Sequence, residues 1–258
     1  METFIFILGR DPELSIEELH TYLESRNIEF EHVEDSDIAV VLNLPSINSK
    51  KMIKDLGGIQ KIAKSITKID NLYYGKSNKL KYAISNYTDD DEAEIKSKLK
   101  AYFKSEKLKA ALKKSHHPQD FLTPSEAKDV LELILYNGYV ARTLAVSNPQ
   151  DLEFRDINKP VTKSTHKISI RFAKILINIS GAKQGKTLLI PFSGLGTIAQ
   201  EASILNIDLT ATDDQEFFVE ATKKNLAWIK KQYDTTNKVK VLKSDIKNLS
   251  RQVKKADF

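Results

Sequence analysis

Gly194, Gly196, Asp213 and Asp245 are the residues of this sequence whose types and spacing could hold a small ligand. The stretch LLIPFSGLGTIAQEA, residues 188–202, reads as a buried strand, a turn opened by two glycines and the start of an amphipathic helix. Glycines at such a turn let the backbone come close to a bound molecule. An acid at the end of the next strand accepts hydrogen bonds from ribose hydroxyls, and Asp213 in LTATDDQ follows Gly194 by 19 residues, close to the expected spacing of about 20. Asp214 stands beside it. Asp245 in VLKSDIKN ends the strand after that, where a carboxylate can accept from an adenine amino group.

Regular alternation must carry these residues. From Thr165 the pattern predicts helix 165–180, strand 186–190, helix 196–205, strand 208–212, helix 214–231, strand 238–242 and helix 246–254, which implies a parallel sheet with helices on both faces. In such sheets ligands sit beyond the carboxyl ends of the strands. Two ligand classes meet the pattern. Gly194-Leu-Gly196-Thr-Ile-Ala199 fits the G-x-G-x-x-A form of the dinucleotide fingerprint, which admits an NAD-dependent oxidoreductase. An S-adenosylmethionine site also accounts for Asp245 and for the helix HKISIRFAKILINISG that precedes the first strand. A third reading has the glycines and aspartates simply building turns.

The first 150 residues read differently. Strands at 3–8, 28–33, 38–43 and 59–69 interleave with a helix begun by a Ser15/Glu18 capping box, running to about Arg26, and a helix over 46–56 stopped by Gly57-Gly58. That β-α-β-β-α-β order is a ferredoxin-like split unit with both helices on one face of its sheet. KYAISNY (81–87) is a further strand, 89–105 a charged helix and 107–114 a short element, and Asn137-Gly138 turns a hairpin within DVLELILYNGYVARTLAVSN. Residues 149–164, with two prolines and no periodicity, form a linker.

Composition narrows the chemistry. Zero cysteines exclude disulfides, thiolate zinc sites and cysteine nucleophiles, and five scattered histidines argue against a metal centre. No apolar run reaches the roughly 18 residues of a membrane span, and METFIFILGR lacks the marks of a signal peptide, so a cytoplasmic location is expected. Net charge rises along the chain, from −3 over 1–80 to +1 over 81–150 and +7 over 151–258. Lys104–His117 and Arg155–Lys186 are basic clusters, which suit either a polyanion or a solvated lysine-rich surface.

The segment RDINKPVTKSTHKISIRFAKILINISGAKQGKTLLIPFSGLGTIAQEA resembles the linker and methyltransferase start of the archaeal and eukaryotic tRNA guanosine-N2 methyltransferases acting at tRNA position ten. SEAKDVLELILYNGYVARTLAVSNP resembles a THUMP domain. The resemblance implies an α/β fold with α+β parts: a ferredoxin-like domain (1–78), a THUMP RNA-binding domain (79–150), a linker (151–164) and a Rossmann-like class I methyltransferase domain (165–258) with an incomplete sheet. It implies an S-adenosyl-L-methionine turn at Pro191, Phe192, Ser193, Gly194 and Gly196, a ribose acid at Asp213 with Asp214, and an adenine-side acid at Asp245. THUMP domains grip tRNA, which gives Lys113, Lys114, Arg142, Arg155, Lys159 and Lys163 a phosphate role, with Arg155-Asp156 equally readable as an ion pair.

Two departures from the family pattern matter. Ile190 stands where the family has an acid. The D/N-P-P-Y motif that positions the exocyclic amine is absent from residues 1–258, so no catalytic residue is assigned and no methylation by this chain is expected. A fragment, a frameshifted reading or a protein completed by a second chain is expected, with a non-catalytic THUMP RNA-binding protein as the alternative.

Overall fold

The computed structural model describes residues 1–116, 121–162 and 168–253. From the N-terminus the chain runs β1 (Glu2–Leu8), α1 (Pro12–Ser25), β2 (Glu31–Asp35), β3 (Ala39–Leu44), α2 (Ser49–Asp55) and β4 (Ile59–Ser65). β5 (Lys79–Asn86), α3 (Ala93–Ser105), β6 (Lys109–Leu112), α4 (Pro124–Ala127), β7 (Leu131–Tyr136) and β8 (Tyr139–Val146) follow. The remainder is α5 (Pro149–Asn158), α6 (Ile170–Ile179), β9 (Thr187–Ile190), α7 (Thr197–Ile204), β10 (Asp208–Asp213), α8 (Glu216–Tyr233), β11 (Val239–Lys243), a 3-10 turn Ile246–Asn248 and α9 (Leu249–Gln252). Two compact units result. One holds Met1–Pro12, Phe30–Lys54 and Ile59–Pro149, the other Glu13–Glu29, Asp55–Gly58 and the described residues from Gln150 onward.

The first unit is built on one eight-stranded sheet in the order β2-β3-β1-β4-β8-β7-β5-β6. Pairings are antiparallel from β2 through β7, and β5 runs parallel to both β7 and β6. β1 and β3 are apolar on both sides of the pleat and buried almost throughout, as strands covered on two faces must be. The hairpin at Asn137-Gly138 forms as expected, with φ of 46° and 79°, the geometry an Asn-Gly pair adopts at low cost. α3 lays Ile95, Leu99, Tyr102 and Phe103 on Leu131, Leu133 and Leu135 of β7.

A polar group crosses this apolar sheet. The Glu132 carboxylate on β7 accepts from Lys61 Nζ of β4 at 2.5 Å, from Ser85 Oγ of β5 at 2.5 Å and from Thr143 Oγ1 of β8 at 2.6 Å. Lys61 and Glu132 are wholly buried. Burial pushes the Lys61 ammonium below the usual lysine range, and the Glu132 charge opposes that shift. Four neighbouring strands, β4, β8, β7 and β5, are joined by this one carboxylate.

In the second unit β11, β10 and β9 form a parallel three-stranded sheet, with β10 central. Its core is small and tight: Leu188 and Ile190 of β9, Leu209 and Ala211 of β10, Ala199 and Ala202 of α7, Ile177 of α6 and Leu226 of α8. Alternating large and small side chains let α7 sit close to the strands.

Some elements differ from the sequence expectation. The first helix starts at Pro12 rather than at Ser15, because proline suits a first helical turn. Glu18 caps nothing in its own helix. Its two oxygens accept the Gly57 and Gly58 amides at 2.7 Å each. The strand from Ile59 stops at Ser65. Residues 149–158, read as linker, are helical, with Pro149 again in the first turn. α6 begins at Ile170, with Ser169 Oγ accepting from Phe172 N at 3.2 Å, and the helix expected over 246–254 is a 3-10 turn followed by four helical residues.

Candidate functional site

The register of the parallel sheet explains why the turn after β9 is open. Ala211 lies opposite Ile190, so β10 runs two residues further and carries Thr212 and Asp213 alongside Pro191 to Ser193. Ser193 N donates to Thr212 O at 2.9 Å, and Thr212 Oγ1 donates to Pro191 O at 3.1 Å. The Asp213 carboxylate closes the turn. Oδ2 accepts from Gly194 N at 3.0 Å and Oδ1 from Gln215 N at 3.1 Å. Each carboxylate oxygen has a second lone pair, so Asp213 can shape the turn and still accept from a hydroxyl.

The two glycines do different things. Gly196 has φ +79°, and a Cβ there would lie 3.0 Å from both Cγ2 and Oγ1 of Thr222. Gly194 has φ +51°, and a Cβ there meets nothing within 4 Å among the described residues. Gly196 is needed for packing behind the turn. Gly194 faces open space, which is the opening a ligand requires.

Asp245 comes to the same edge. β11 pairs with β10 so that Lys243 lies opposite Asp213, and Ser244 N donates to Asp213 O at 2.9 Å. Asp245 is exposed and accepts from Lys247 N at 2.8 Å. Asp214 is exposed one residue past β10, and Phe192 is 69% exposed. Pro191, Phe192, Ser193, Gly194, Gly196, Asp213, Asp214 and Asp245 therefore all fall at the carboxyl ends of β9, β10 and β11.

Two residues that hold the turn escaped the sequence reading. Thr222 Oγ1 of α8 donates to Gly194 O at 3.0 Å, and Asn225 Nδ2 donates to Leu195 O at 2.9 Å. Both are fully buried. Polar residues three apart on the face of α8 that carries Val219, Leu226 and Ile229 are the signal that marks them, since buried polar groups need partners.

The expected phosphate-binding residues divide. Lys114 is exposed and Arg142 half-buried. The Arg142 guanidinium stands 5.0 Å from the Tyr74 ring centroid, its Nε has no hydrogen-bond partner among the described residues, and Tyr74 is 74% exposed. Both line a cavity of about 520 Å³ that also takes in Lys64 and Lys68. Lys113 is committed to its own unit, donating to Glu126 O at 2.6 Å. The Glu126 carboxyl caps α4 and accepts the His116 and Thr123 amides, which hold its pKa down at about 2. Arg155 and Lys159 face inward, so a phosphate role fails for them in this conformation. Arg155 is 2% exposed and forks onto Glu201, with Nε–Oε1 at 2.9 Å and Nη2–Oε2 at 2.8 Å. The Arg155–Asp156 pair does not form either, because Asp156 takes the buried Lys159 at 2.8 Å. Lys163 lies outside the described residues.

Among the described residues no three His, Cys, Asp or Glu side chains gather where a metal ion could be held, and no helix is long and apolar enough to cross a membrane.

Residues 159–257 match the family model UPF0020, an RMKL-like methyltransferase domain. A tRNA (guanine(10)-N2)-dimethyltransferase of Methanothermobacter thermautotrophicus is 25% identical over 262 residues, covering 96% of this chain and 74% of its own. Among solved structures, TrmN from Thermus thermophilus is similar at a TM-score of 0.49 and 14% identity over 99% of this chain and 77% of that one. SMU.472 complexed with SAH gives a TM-score of 0.45 at 12% identity over 94% and 76%. The likeness to a methyltransferase domain thus lies in residues 159–257, and the likeness to the archaeal relative runs over nearly the whole chain.

Proposed function

We propose that residues 1–258 are the RNA-binding and cofactor-binding part of an S-adenosyl-L-methionine-dependent tRNA guanine-N2 methyltransferase. The proposed divisions are a ferredoxin-like domain over 1–78, a THUMP domain over 79–150, a linker over 151–164 and a Rossmann-like domain from 165. The observation that carries this is the Asp213 carboxylate on the Gly194 amide at 3.0 Å, inside the segment that matches a methyltransferase domain. The open space before Gly194 and the spare lone pairs of Asp213 fit a nucleoside. Bound there, S-adenosylmethionine supplies an electrophilic sulfonium methyl group. The chain's own part is to receive the ribose at Asp213, the adenine side at Asp245, and the remainder of the cofactor along Pro191, Phe192, Ser193 and Gly194, with Asp214 at the rim. No residue of 1–258 is assigned to the transfer step.

S-adenosylhomocysteine is the probe that tests this. Wild-type protein is expected to gain thermal stability with it, and Asp213→Ala to lose about 1.5–3 kcal/mol of binding for a hydrogen bond to a charged group, roughly 10–150-fold in Kd by calorimetry. Stabilisation by NAD with none from S-adenosylhomocysteine transfers the site to the dinucleotide class.

For the tRNA partner, support comes from the cavity holding Arg142, Lys68 and the exposed Tyr74, since a cation beside an open aromatic face suits a phosphate next to a stacked base. Arg142→Glu is expected to weaken tRNA binding and to lower the slope of log K against log salt by about 1, measured by filter binding between 50 and 200 mM KCl as a roughly bracketing range. Arg142→Lys keeps most of the slope. Equal affinity and slope in all three proteins removes Arg142 from the RNA surface.

A further inference from the structure

Glu18, Arg155, Lys174 and Glu201 are ionisable side chains between 0% and 4% exposed, and the ligand reading uses none of them. All four belong to the second unit, and they lie in series. The Arg155 guanidinium of α5 forks onto Glu201 of α7 and also reaches the Asp151 carboxylate, whose Oδ1 accepts from Tyr233 Oη at 3.0 Å. Lys174 of α6 donates Nζ to Leu56 O at 2.8 Å; burial pushes its pKa down, and the nearby Glu201 and Glu18 oppose that shift. Glu18 of α1 accepts from Asn178 Nδ2 of α6 at 2.7 Å as well as from the Gly57 and Gly58 amides. The 55–58 loop lies directly on α6. A Cβ on Gly57 would fall 2.3 Å from Arg171 O.

The series ends at the element that makes the ligand turn. α7 has only eight residues, about 12 Å of helix, and its N-cap is Gly196. Glu201 sits in its second turn, so a rigid shift at Glu201 is carried to Gly196 and Thr197. Lys159 supports the same end of the helix, with Nζ 3.5 Å from Thr197 Oγ1. Buried ion pairs are a poor source of net stability, because apolar residues of similar volume serve as well or better. A forked Arg–carboxylate pair does fix direction, which an apolar contact does not.

We propose that the Arg155–Glu201 fork, backed by Lys174 and Glu18, is a positioning device that sets the turn at the N-terminus of α7, and that segments 13–29 and 55–58 are structural parts of the ligand-binding unit. That the turn holds a nucleoside rests on the function proposed for it. The positioning itself does not, and hydrogen exchange on the full chain measures it without ligand.

Glu201→Gln and Arg155→Lys are expected to speed amide exchange in the 192–198 segment at least tenfold while β1 and β3 keep wild-type protection. Glu18→Gln is expected to do so to a smaller extent. The double variant Arg155→Met, Glu201→Leu guards against a single variant that does not fold. It is expected to recover the unfolding midpoint and leave the turn fast-exchanging. Wild-type protection of the turn in the folded double variant, or an equal rise in exchange across the whole second unit in the single variants, overturns the proposal. Absence of S-adenosylhomocysteine protection in wild-type protein defeats the ligand reading instead, and leaves the exchange result to decide the positioning.

Discussion

Glu132→Leu is expected to cost about 3–5 kcal/mol, the usual penalty for removing one partner of a buried ion pair. The cause lies in what remains: Lys61 Nζ, wholly buried on β4, loses the carboxylate that accepts it at 2.5 Å and must either stay charged without a partner or give up its proton. Ser85 Oγ and Thr143 Oγ1 lose the same acceptor. The double variant Lys61→Met, Glu132→Leu should recover most of the loss, because it removes the stranded lysine as well. pH gives a second signature. Burial already lowers the Lys61 pKa, so between its folded value and the unfolded lysine value the native state binds fewer protons than the unfolded chain. Stability contributed by this group is therefore present above the unfolded pKa and is lost as pH falls through the folded one. Without Glu132 the depression deepens, so the guanidinium midpoint of Glu132→Leu should rise from pH 7 towards pH 10 more steeply than that of wild type. A midpoint within about 1 kcal/mol of wild type at pH 7, on the m-value of the protein, contradicts this account.

Gly196→Val is the second large effect, at about 4 kcal/mol. A left-handed φ of +79° costs a non-glycine residue about 1–3 kcal/mol. The new Cβ would also press on Thr222 Cγ2 and Oγ1 at 3.0 Å, and overpacking of this kind adds about 1–3 kcal/mol. Thr222 cannot move aside without releasing Gly194 O and Ser193 Oγ, which it bonds at 3.0 and 3.2 Å. The variant is expected to lose S-adenosylhomocysteine binding along with stability. Gly194→Ala is the control, because its Cβ meets nothing within 4 Å among the described residues beyond its chain neighbours. It should stay folded with only the backbone penalty of about 1–3 kcal/mol and bind poorly, since the methyl group enters the ligand's space. Equal stability of the two variants contradicts the division of labour between the glycines.

Local pattern revealed more of the architecture than of the charges. Period-two and helical runs marked nearly every strand and helix, the Asn137-Gly138 turn marked its hairpin, and the Gly194–Asp213 spacing located a pair that meets at 3.0 Å. α5 was hidden because a single buried arginine and the half-exposed Phe154 attach it, rather than an apolar stripe. Arg155 and Lys159 looked like phosphate ligands because sequence displays charge and not burial. Lys159 takes Asp156, three residues before it, but Arg155 binds both Asp151, four residues before it, and Glu201, 46 residues after it, and no spacing marks the distant partner. Glu18 misled in the same manner, matching a capping pattern while serving two glycine amides 39 and 40 residues on. Likewise no local signal joins β4 to β8, since that pairing is fixed only by the tertiary fold.

The β4–β8 pairing matters while the protein is being made. β4 ends at Ser65 and its partner β8 at Val146, so about 80 residues must still leave the ribosome before that strand edge is covered. At roughly 5–20 residues per second, a nascent chain carries an open, half-apolar edge for several seconds. During that interval Lys61 has no carboxylate to meet and keeps its ammonium in water, a charge on an unpaired edge of the sort that discourages neighbouring nascent chains from docking there.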